Sequence, residues 1–300
     1  MVPKHLEEKP MSFVVFADGS ANLPKSCLEG ITMLPCTYCV DGVQKEYEGD
    51  VDSFDVHHYY DALRSGAKIT TSLLNTHLFM EHFRPVLEAG QDAIYIAMSS
   101  GISGTYQAAV NAKQELEEEY PDRYIHIVDS HGCGFGSGLL AIRAAELSKL
   151  GTPVRQAGAM LDGDVPHMCQ YFTVDDLNFL KRSGRVSGAT AMIGTVLNIK
   201  PILYGDAAGH IVSCGKVRGR KKAIDAIVEK YAQKQTDAEH RVVAISHGDC
   251  PEDAQLLADM ITEAAKPMEL IIAPHEPFTG AHVGPGMLAL FFHGKKRDSQ

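Results

Sequence analysis

The segment that most constrains the fold is an apolar run that changes abruptly into a turn rich in glycine and serine. Residues 93–98 have the length and apolarity of a buried strand, and good helix formers follow from Tyr106 onward. A strand, a short turn and a helix in succession are typical of the βα unit of an α/β sheet. The sequence therefore predicts an α/β fold arranged around this unit.

The turn itself, residues 99–105, is rich in hydroxyl groups and contains no lysine or arginine. Unpaired backbone N–H groups and the positive end of the helix dipole make a helix N-terminus attractive to anions. Ser103 or Thr105 alone would cap the helix. Because Ser99 and Ser100 add two further hydroxyls, we favour a bound anion over a simple cap. A turn without a cation suits a single negative charge, such as a carboxylate, better than a polyphosphate.

Composition excludes several classes of partner and location. The 300 residues, 45% hydrophobic and 22% charged, are typical of a globular protein with one large or two medium domains. A net charge of −10 without a basic block disfavours nucleic acid. No apolar run has the length of a membrane span, and no secretory signal opens the sequence. Seven cysteines at irregular spacings indicate reduced thiols and a cytoplasmic protein.

The pattern of predicted elements divides the chain. Residues 1–10 are polar and patternless, and we interpret them as a flexible leader. The pattern of residues 11–165 predicts an N-terminal α/β domain with a mostly parallel sheet. Three predicted strands there end in hydroxyl or Asp/Gly loops, and open parallel sheets bind ligands at such strand ends. Residues 166–300 predict a C-terminal α/β domain with a mixed sheet flanked by helices.

Several local expectations follow from the same pattern. We predict a helix starting near Pro24, a single alternating strand over residues 31–40 and an apolar helix over 189–197. A hairpin turn at 41–42 is indicated by the Asp-Gly pair. Residues 278–286 contain three glycines and a proline around one histidine, which predicts a shaped loop.

Two further segments carry candidate ligand-binding residues. Residues 68–75 form a second hydroxyl cluster, including Thr71 and Ser72, directly before a predicted helix. This cluster is interpreted equally well as an anion cradle or as a capping loop. The loop around His282 would hold the imidazole on a fixed backbone, although a lone histidine is more often structural.

Cofactor and metal motifs are poorly represented. Cys36 and Cys39 form a lone C-x-x-C, which could be a redox pair or half of a zinc site. No second pair exists and the segment is rich in β-formers, so buried strand thiols are favoured. No dinucleotide fingerprint or Walker loop is present, and no cofactor is predicted. The cations of residues 218–222 form either a solvated face or a docking patch for an acidic partner.

Taken in order, these segments resemble the DegV family of fatty-acid-binding proteins, also called FakB. The segments that carry the resemblance are Asp18-Gly19-Ser20-Ala21-Asn22-Leu23, Thr70-Thr71-Ser72, Ser99-Ser100-Gly101-Ile102-Ser103-Gly104-Thr105-Tyr106, Asp129-Ser130, Leu180-Lys181-Arg182-Ser183-Gly184-Arg185, Lys200-Pro201-Ile202-Leu203 and Gly280-Ala281-His282-Val283-Gly284-Pro285-Gly286. Each segment is weak alone, but together they are specific. The sequence departs from the family at Leu73-Leu74, where Gln-Pro is usual, and at Gly19, which is inserted before Ser20.

The resemblance implies a function. The protein would bind a long-chain fatty acid in a buried tunnel between or within two α/β domains. It would not be an enzyme itself, but would present the carboxylate to a separate fatty-acid kinase that makes an acyl phosphate for phospholipid synthesis. The residues implied to hold the carboxylate are Thr71, Ser72, Ser99, Ser100, Ser103 and His282. Arg185 matches a position for which a partner-facing or phosphate-facing role is implied.

Rival classes use some of the same residues. A serine hydrolase could be built from Ser100, His282 and either Asp18 or Asp129, but no G-x-S-x-G elbow surrounds a candidate serine. A metal-dependent phosphohydrolase is the second rival, and the spacings H-x-H and H-E-x-x-H that would support it are missing. Its candidate ligands are Asp18, Asp129, His131, His247 and Asp249. A purely structural interaction module is the third alternative.

Overall fold

The computed structural model describes residues 12–186, 198–237 and 241–298. The predicted leader at 1–10 and the predicted helix at 189–197 lie outside the described residues. The strands are β1 Val14–Asp18, β2 Ile31–Leu34, β3 Cys36–Val40, β4 Val43–Tyr47, β5 Ile69–Ser72, β6 Ala93–Ala97, β7 Ile125–Asp129, β8 Met168–Thr173, β9 Ile199–Gly205, β10 Ile211–Arg218, β11 Val242–His247, β12 Glu269–Pro274 and β13 Leu288–His293. The helices are α1 Val56–Arg64, α2 Thr76–Glu88, α3 Thr105–Glu119, α4 Phe135–Lys149, α5 Val154–Asp164, α6 Asn178–Ser183, α7 Arg220–Lys234, α8 Pro251–Ala265 and α9 Pro277–Val283. Of these helices, none combines the length and the apolarity that crossing a membrane requires.

The strands form three sheets. The parallel sheet has the order β2-β1-β6-β7, and all its neighbouring strands run in the same direction. The mixed sheet has the order β10-β9-β8-β13-β11-β12, in which only β11 and β12 are parallel. Together they confirm the predicted α/β class with one parallel and one mixed sheet. A third, antiparallel sheet of order β4-β3-β5 was not predicted.

Helix α4 lies between the two large sheets and packs against strands of both. Its side chains are buried around almost the whole circumference, as expected for a helix that is apolar on all faces. The glycines at its start allow close packing: a Cβ on Gly138 would lie 2.4 Å from the carbonyl oxygen of Ala21. Gly138 therefore allows the close contact between α4 and the turn that follows β1.

Two predicted elements near the N-terminus are wrong. The helix expected from Pro24 is only a 3₁₀ turn over Lys25–Cys27, because the chain must return at once to pair β2 with β1. The single strand expected over 31–40 is two strands in two different sheets. Pro35 lies between them and cannot donate a ladder hydrogen bond, so the chain leaves the parallel sheet there. The hairpin at Asp41-Gly42 is confirmed by the antiparallel pairing of β3 with β4.

The order of the sheets along the chain bears on domain organisation. Strands of the parallel sheet all precede residue 130, and strands of the mixed sheet all follow residue 167. Helices α4 and α5 fill most of the interval, and α5, which was not predicted, packs against α4 and β7. A division into domains near residue 165 stays a prediction.

Candidate functional site

A threonine and a histidine far apart in sequence meet between β5 and α9. Thr71 lies on β5 and His282 in the last turn of α9, and Thr71 Oγ1 lies 2.9 Å from His282 Nε2. The predicted shaped loop around His282 is wrong, because His282 lies in a helix. Pro277 at the first helical position and Glu276 before it are helix-starting residues, and Gly284, with φ of +77°, ends the helix.

The start of α9 is fixed by buried hydrogen bonds. The Glu276 carboxyl group accepts from the backbone N–H groups of Phe278 and Thr279. The hydroxyl of Tyr60 donates to the carbonyl of His275 at 3.0 Å, and that of Tyr59 donates to Pro277. Burial raises the pKa of Glu276 to about 8. The helix that carries His282 is therefore held at its first turn by buried groups.

The turn between β6 and α3 is ordered by its own hydroxyls. Ser99 is buried; its Oγ donates to the carbonyl of Gly209 at 2.8 Å and accepts from Gly101 N–H at 3.1 Å. Ser103 Oγ donates to Thr105 Oγ1 at 3.0 Å. The first serine thus ties the turn to the β9–β10 connection. Ser103 stabilises the first turn of α3, and Ser100 is exposed at the tip of the turn.

A cavity of about 610 Å³ adjoins the Thr71–His282 pair. We call it the central cavity; its volume is that of a small-molecule site. Ser100, Ser103 and Arg185 also line it. The rest of its wall is largely apolar, from Leu73, Met98, Ile102, Cys133, Leu180, Ile211, Phe278 and Val283. A ligand with one anionic end and a long apolar body matches this lining.

Two further cavities adjoin the central one on different sides. The outer cavity, about 560 Å³, shares Thr71, Ser183, Arg185 and His282 with it and is also lined by exposed Lys68 and Arg182. The inner cavity, about 40 Å³, shares the apolar or nearly apolar residues Ile102, Cys133, Ile211 and Val283. The lining therefore changes from cationic to polar to apolar along the series, with the Thr71–His282 pair at the junction of the outer and central cavities.

The electrostatics of the pair favour neutral hydrogen bonding. Burial, with a smaller contribution from the Arg185 guanidinium, lowers the pKa of His282 to about 4. The imidazole is therefore uncharged at neutral pH. A carboxylate placed beside it would be held by neutral groups, with the charge of Arg185 at the edge of the cavity.

The structure separates the predicted site residues into two groups. Thr71, Ser100, Ser103, His282 and Arg185 all line the central cavity. The structure does not bring Ser72 or Ser99 to this cavity: Ser72 is exposed on β5, one residue from Thr71 and therefore on the opposite face, and Ser99 is buried in the turn. Sequence reasoning missed Ser183 and Thr279, which also line it. Ser183 lies within a segment that carries the family resemblance, and Thr279 directly precedes another, so a signal for both was available.

The arrangement does not assemble the rival sites. His282 Nε2 contacts Thr71 rather than a serine, and Asp18 is buried against Tyr95 and Ser20. Within the part of the chain that the structure describes, the one group of three or more close metal-ligand side chains is His57, Asp61 and Asp249. Its two carboxylates both contact Arg64 Nη1, which offsets part of their charge.

The two cysteines of the C-x-x-C lie on β3. Side chains three residues apart on a strand point to opposite faces. Cys36 is buried, and burial raises the pKa of its thiol well above the usual range, which keeps it protonated. Cys39 is partly exposed, and both thiols are free. These positions do not bring the pair together as metal or redox partners.

Comparison with known proteins covers almost the whole chain. A family model described as an uncharacterised protein family, the DegV family, matches residues 12–295. The DegV domain-containing protein of Clostridium perfringens is 36% identical over 287 residues, which cover 95% of this chain and 99% of that protein. A DegV domain-containing protein of Lactococcus lactis is 32% identical over 288 residues, covering 95% of this chain and 99% of that one.

Solved structures share the fold and include fatty-acid-binding proteins. A DegV family protein from Thermus thermophilus, described by its fatty-acid binding, superimposes with a TM-score of 0.84 at 25% identity, covering 95% of this chain and 100% of that one. DegV of Bacillus subtilis, described as a fatty acid binding protein, superimposes with a TM-score of 0.80 at 28% identity, with coverages of 95% and 100%.

Proposed function

The chain belongs to the DegV family, and we propose that it binds a long-chain fatty acid and presents the carboxylate to a separate fatty-acid kinase. The observation that supports this most directly is the order of the three adjoining cavities. The carboxylate lies at the Thr71–His282 pair, and the acyl chain extends through the central cavity toward the inner one. The fatty acid is the only ligand that this function requires, and the protein contributes no catalytic group or cofactor.

Burial of the acyl chain supplies the affinity. A chain of about fifteen methylenes gains about 12 kcal/mol on leaving water, at about 0.8 kcal/mol each. Translational and conformational losses on association remove a large part of that gain. The remainder is sufficient for submicromolar binding. The polar groups at the cavity junction therefore need only to fix the orientation of the ligand.

The carboxylate-binding groups suit a reactive rather than a neutralised anion. A carboxylate removed from water needs hydrogen-bond donors. Thr71, Ser100 and Ser103 offer hydroxyl groups, and His282 is uncharged at neutral pH. Neutral donors leave a carboxylate oxygen able to attack a phosphoryl group, whereas a bidentate arginine would hold both oxygens. The arrangement thus favours presentation of the carboxylate for chemistry.

The outer cavity supports the kinase part of the proposal. It opens beside Thr71 and His282, so a phosphoryl donor can approach the carboxylate from that side. Lys68, Arg182 and Arg185 line it and would attract phosphate groups or an acidic partner surface. A cytoplasmic location belongs to this proposal, because ATP, the donor for such a kinase, is found in the cytoplasm.

Extraction of the purified protein tests the ligand class. We expect organic solvent to release close to one fatty acid per chain, identified by mass spectrometry of protein prepared without added lipid. Reconstitution of delipidated protein with palmitate, followed by calorimetry, serves as the control for ligand lost during purification. Failure of both experiments would remove the basis of the fatty-acid proposal.

Removal of the Arg185 charge tests the kinase part. With a bacterial fatty-acid kinase and ATP, we expect Arg185→Ala to lower acyl-phosphate formation about tenfold or more, while fatty-acid affinity changes by less than about threefold. Lys266→Ala removes another exposed cation, at the end of α8, and is expected to have no effect. Joint charge reversal of Arg218, Lys221 and Lys222 tests the remaining exposed cations of the 218–222 segment. Unchanged phosphorylation in every variant would contradict docking through these cations.

A further inference from the structure

The inner cavity contains a polar side chain with an unused acceptor. Gln170 on β8 is only 9% exposed and lines this otherwise mainly apolar space beside Phe172 and Phe291. Its Nε2 donates to the carbonyl of His131 at 3.0 Å. Its Oε1 receives no hydrogen bond from any residue that the structure describes. The other polar side chain of the lining, His275, has both ring nitrogens within hydrogen-bond distance of hydroxyls.

The Gln170 side chain is confined by glycines. A Cβ on Gly205 would lie 2.0 Å from Gln170 Nε2, and a Cβ on Gly136 would lie 2.8 Å from Oε1. Gly132 approaches the same oxygen, with a Cβ distance of 3.2 Å. These three positions are occupied by the one residue type that leaves room for the amide. Gln170 therefore has little space to withdraw when a ligand reaches it.

The amide position has a consequence for an acyl chain. A chain that runs from Thr71 through the central cavity enters the inner cavity past Ile211 and Val283, which line both. Within the inner cavity it meets the Gln170 amide oxygen, which accepts no hydrogen bond from the described part of the chain. A methyl group pressed against that oxygen excludes water from the oxygen and offers no hydrogen bond in return. Leaving a buried acceptor without a donor in this way is unfavourable.

We propose that Gln170 ends the acyl-chain cavity and sets the longest straight chain that the protein accepts. The proposal rests on the proposed fatty-acid function and adds to it a residue that determines specificity. Up to this limit each additional methylene should increase affinity about fourfold. Beyond it affinity should level off or fall.

The test is a chain-length series. Saturated straight-chain fatty acids from lauric to arachidic acid are titrated into delipidated protein by calorimetry, for the unmodified chain and for Gln170→Ala and Gln170→Met. The His131 carbonyl keeps a donor in both variants, because Arg297 Nη1 also donates to it, at 2.6 Å. Tyr171→Phe changes the neighbouring side chain, which points to the opposite face of β8, and serves as the matched control.

The alanine variant opens room for about two methylenes. We therefore expect the longest acid that it accepts to be about two carbons longer. The longest acids should bind it about tenfold more tightly than they bind the unmodified chain. The methionine variant has a similar length and should keep the original limit, but because it lacks the amide oxygen it should bind the longest acids more tightly than the unmodified chain does. Tyr171→Phe should match the unmodified chain in both respects. An unchanged limit in the alanine variant, or an equal shift in both Gln170 variants, overturns the proposal while fatty-acid binding stands. No binding of any acid to the unmodified chain overturns the fatty-acid function and this proposal together.

Discussion

Replacing Thr71 by valine is expected to weaken fatty-acid binding about 10- to 100-fold without unfolding the protein. The valine keeps the shape and β-propensity of threonine on β5 but removes the hydroxyl that contacts His282 Nε2. Hydrogen bonds to a charged group contribute about 1.5–3 kcal/mol, and loss of one in a buried site leaves the carboxylate under-solvated. Calorimetry with palmitate measures the effect.

Ser72→Ala is the matched control for this experiment. Ser72 follows Thr71 on the same strand, but its side chain is exposed and points to the opposite face. Its loss should change affinity by less than about twofold. Both variants remove one hydroxyl from β5. A difference in palmitate affinity between them therefore shows which face of the strand meets the ligand.

The Thr71→Val/Ser100→Ala double variant extends the test to the turn before α3. Both residues line the central cavity, so we expect the losses to combine and affinity to fall at least as far as in the single variant. Full retention of affinity in the double variant would show that the carboxylate lies elsewhere. Thermal unfolding of each variant, expected within a few degrees of the unmodified chain, confirms that the site rather than the fold has changed.

Local sequence pattern was sufficient for much of the fold. The apolar run before the Ser/Gly turn predicted β6 and α3 because a buried parallel strand is apolar on both faces, and β6 is buried at every position. The assignment around Pro35 was wrong, because the alternating pattern continues across this residue while the chain passes from one sheet to another. Which sheet a strand joins depends on contacts distant in sequence, and periodicity carries no information about them.

In the site, the sequence pattern likewise did not predict the orientation of single side chains. Counting hydroxyls in the 99–105 turn indicated a ligand but did not distinguish Ser99, which is buried against Gly209, from Ser100 and Ser103, which line the cavity. Similarly, the glycines around His282 predicted a fixed backbone, but not a helix. Orientation of a side chain is set by the tertiary partner, here the β9–β10 connection for Ser99, and this partner lies more than 100 residues away.

Replacing Glu276 by alanine is expected to be the most destabilising of the substitutions considered. The alanine leaves the N–H groups of Phe278 and Thr279 buried without an acceptor at the first turn of α9. Each unsatisfied buried donor costs about 1–3 kcal/mol, so we expect a loss of about 3 kcal/mol and a midpoint roughly 5–10 °C lower. Because α9 carries His282, fatty-acid affinity should fall as well. Thermal unfolding and calorimetry measure the two effects.

Glu276→Gln separates the charge of this residue from its hydrogen bonds. Glutamine keeps one of the two oxygens that accept from the helix N-terminus, so palmitate affinity should stay within about threefold of the unmodified chain. It removes the titration, however. The folded protein holds the Glu276 proton up to a pKa of about 8, whereas the ordinary value of 4.5 applies to the unfolded chain. Between these values the folded state binds more protons than the unfolded state.

The sign of the pH effect follows from that difference. The favourable contribution of protonated Glu276 is fully present below pH 4.5 and is lost as pH rises through 8. The unmodified chain should therefore lose stability relative to Glu276→Gln between pH 5 and pH 9, as measured by urea unfolding. Nearby Asp18 and His275 are present in both proteins, so their own titration largely cancels in the comparison. Parallel pH profiles for the two proteins would mean that Glu276 is already ionised in the fold, and that the hydrogen bonds at the start of α9 outweigh its burial.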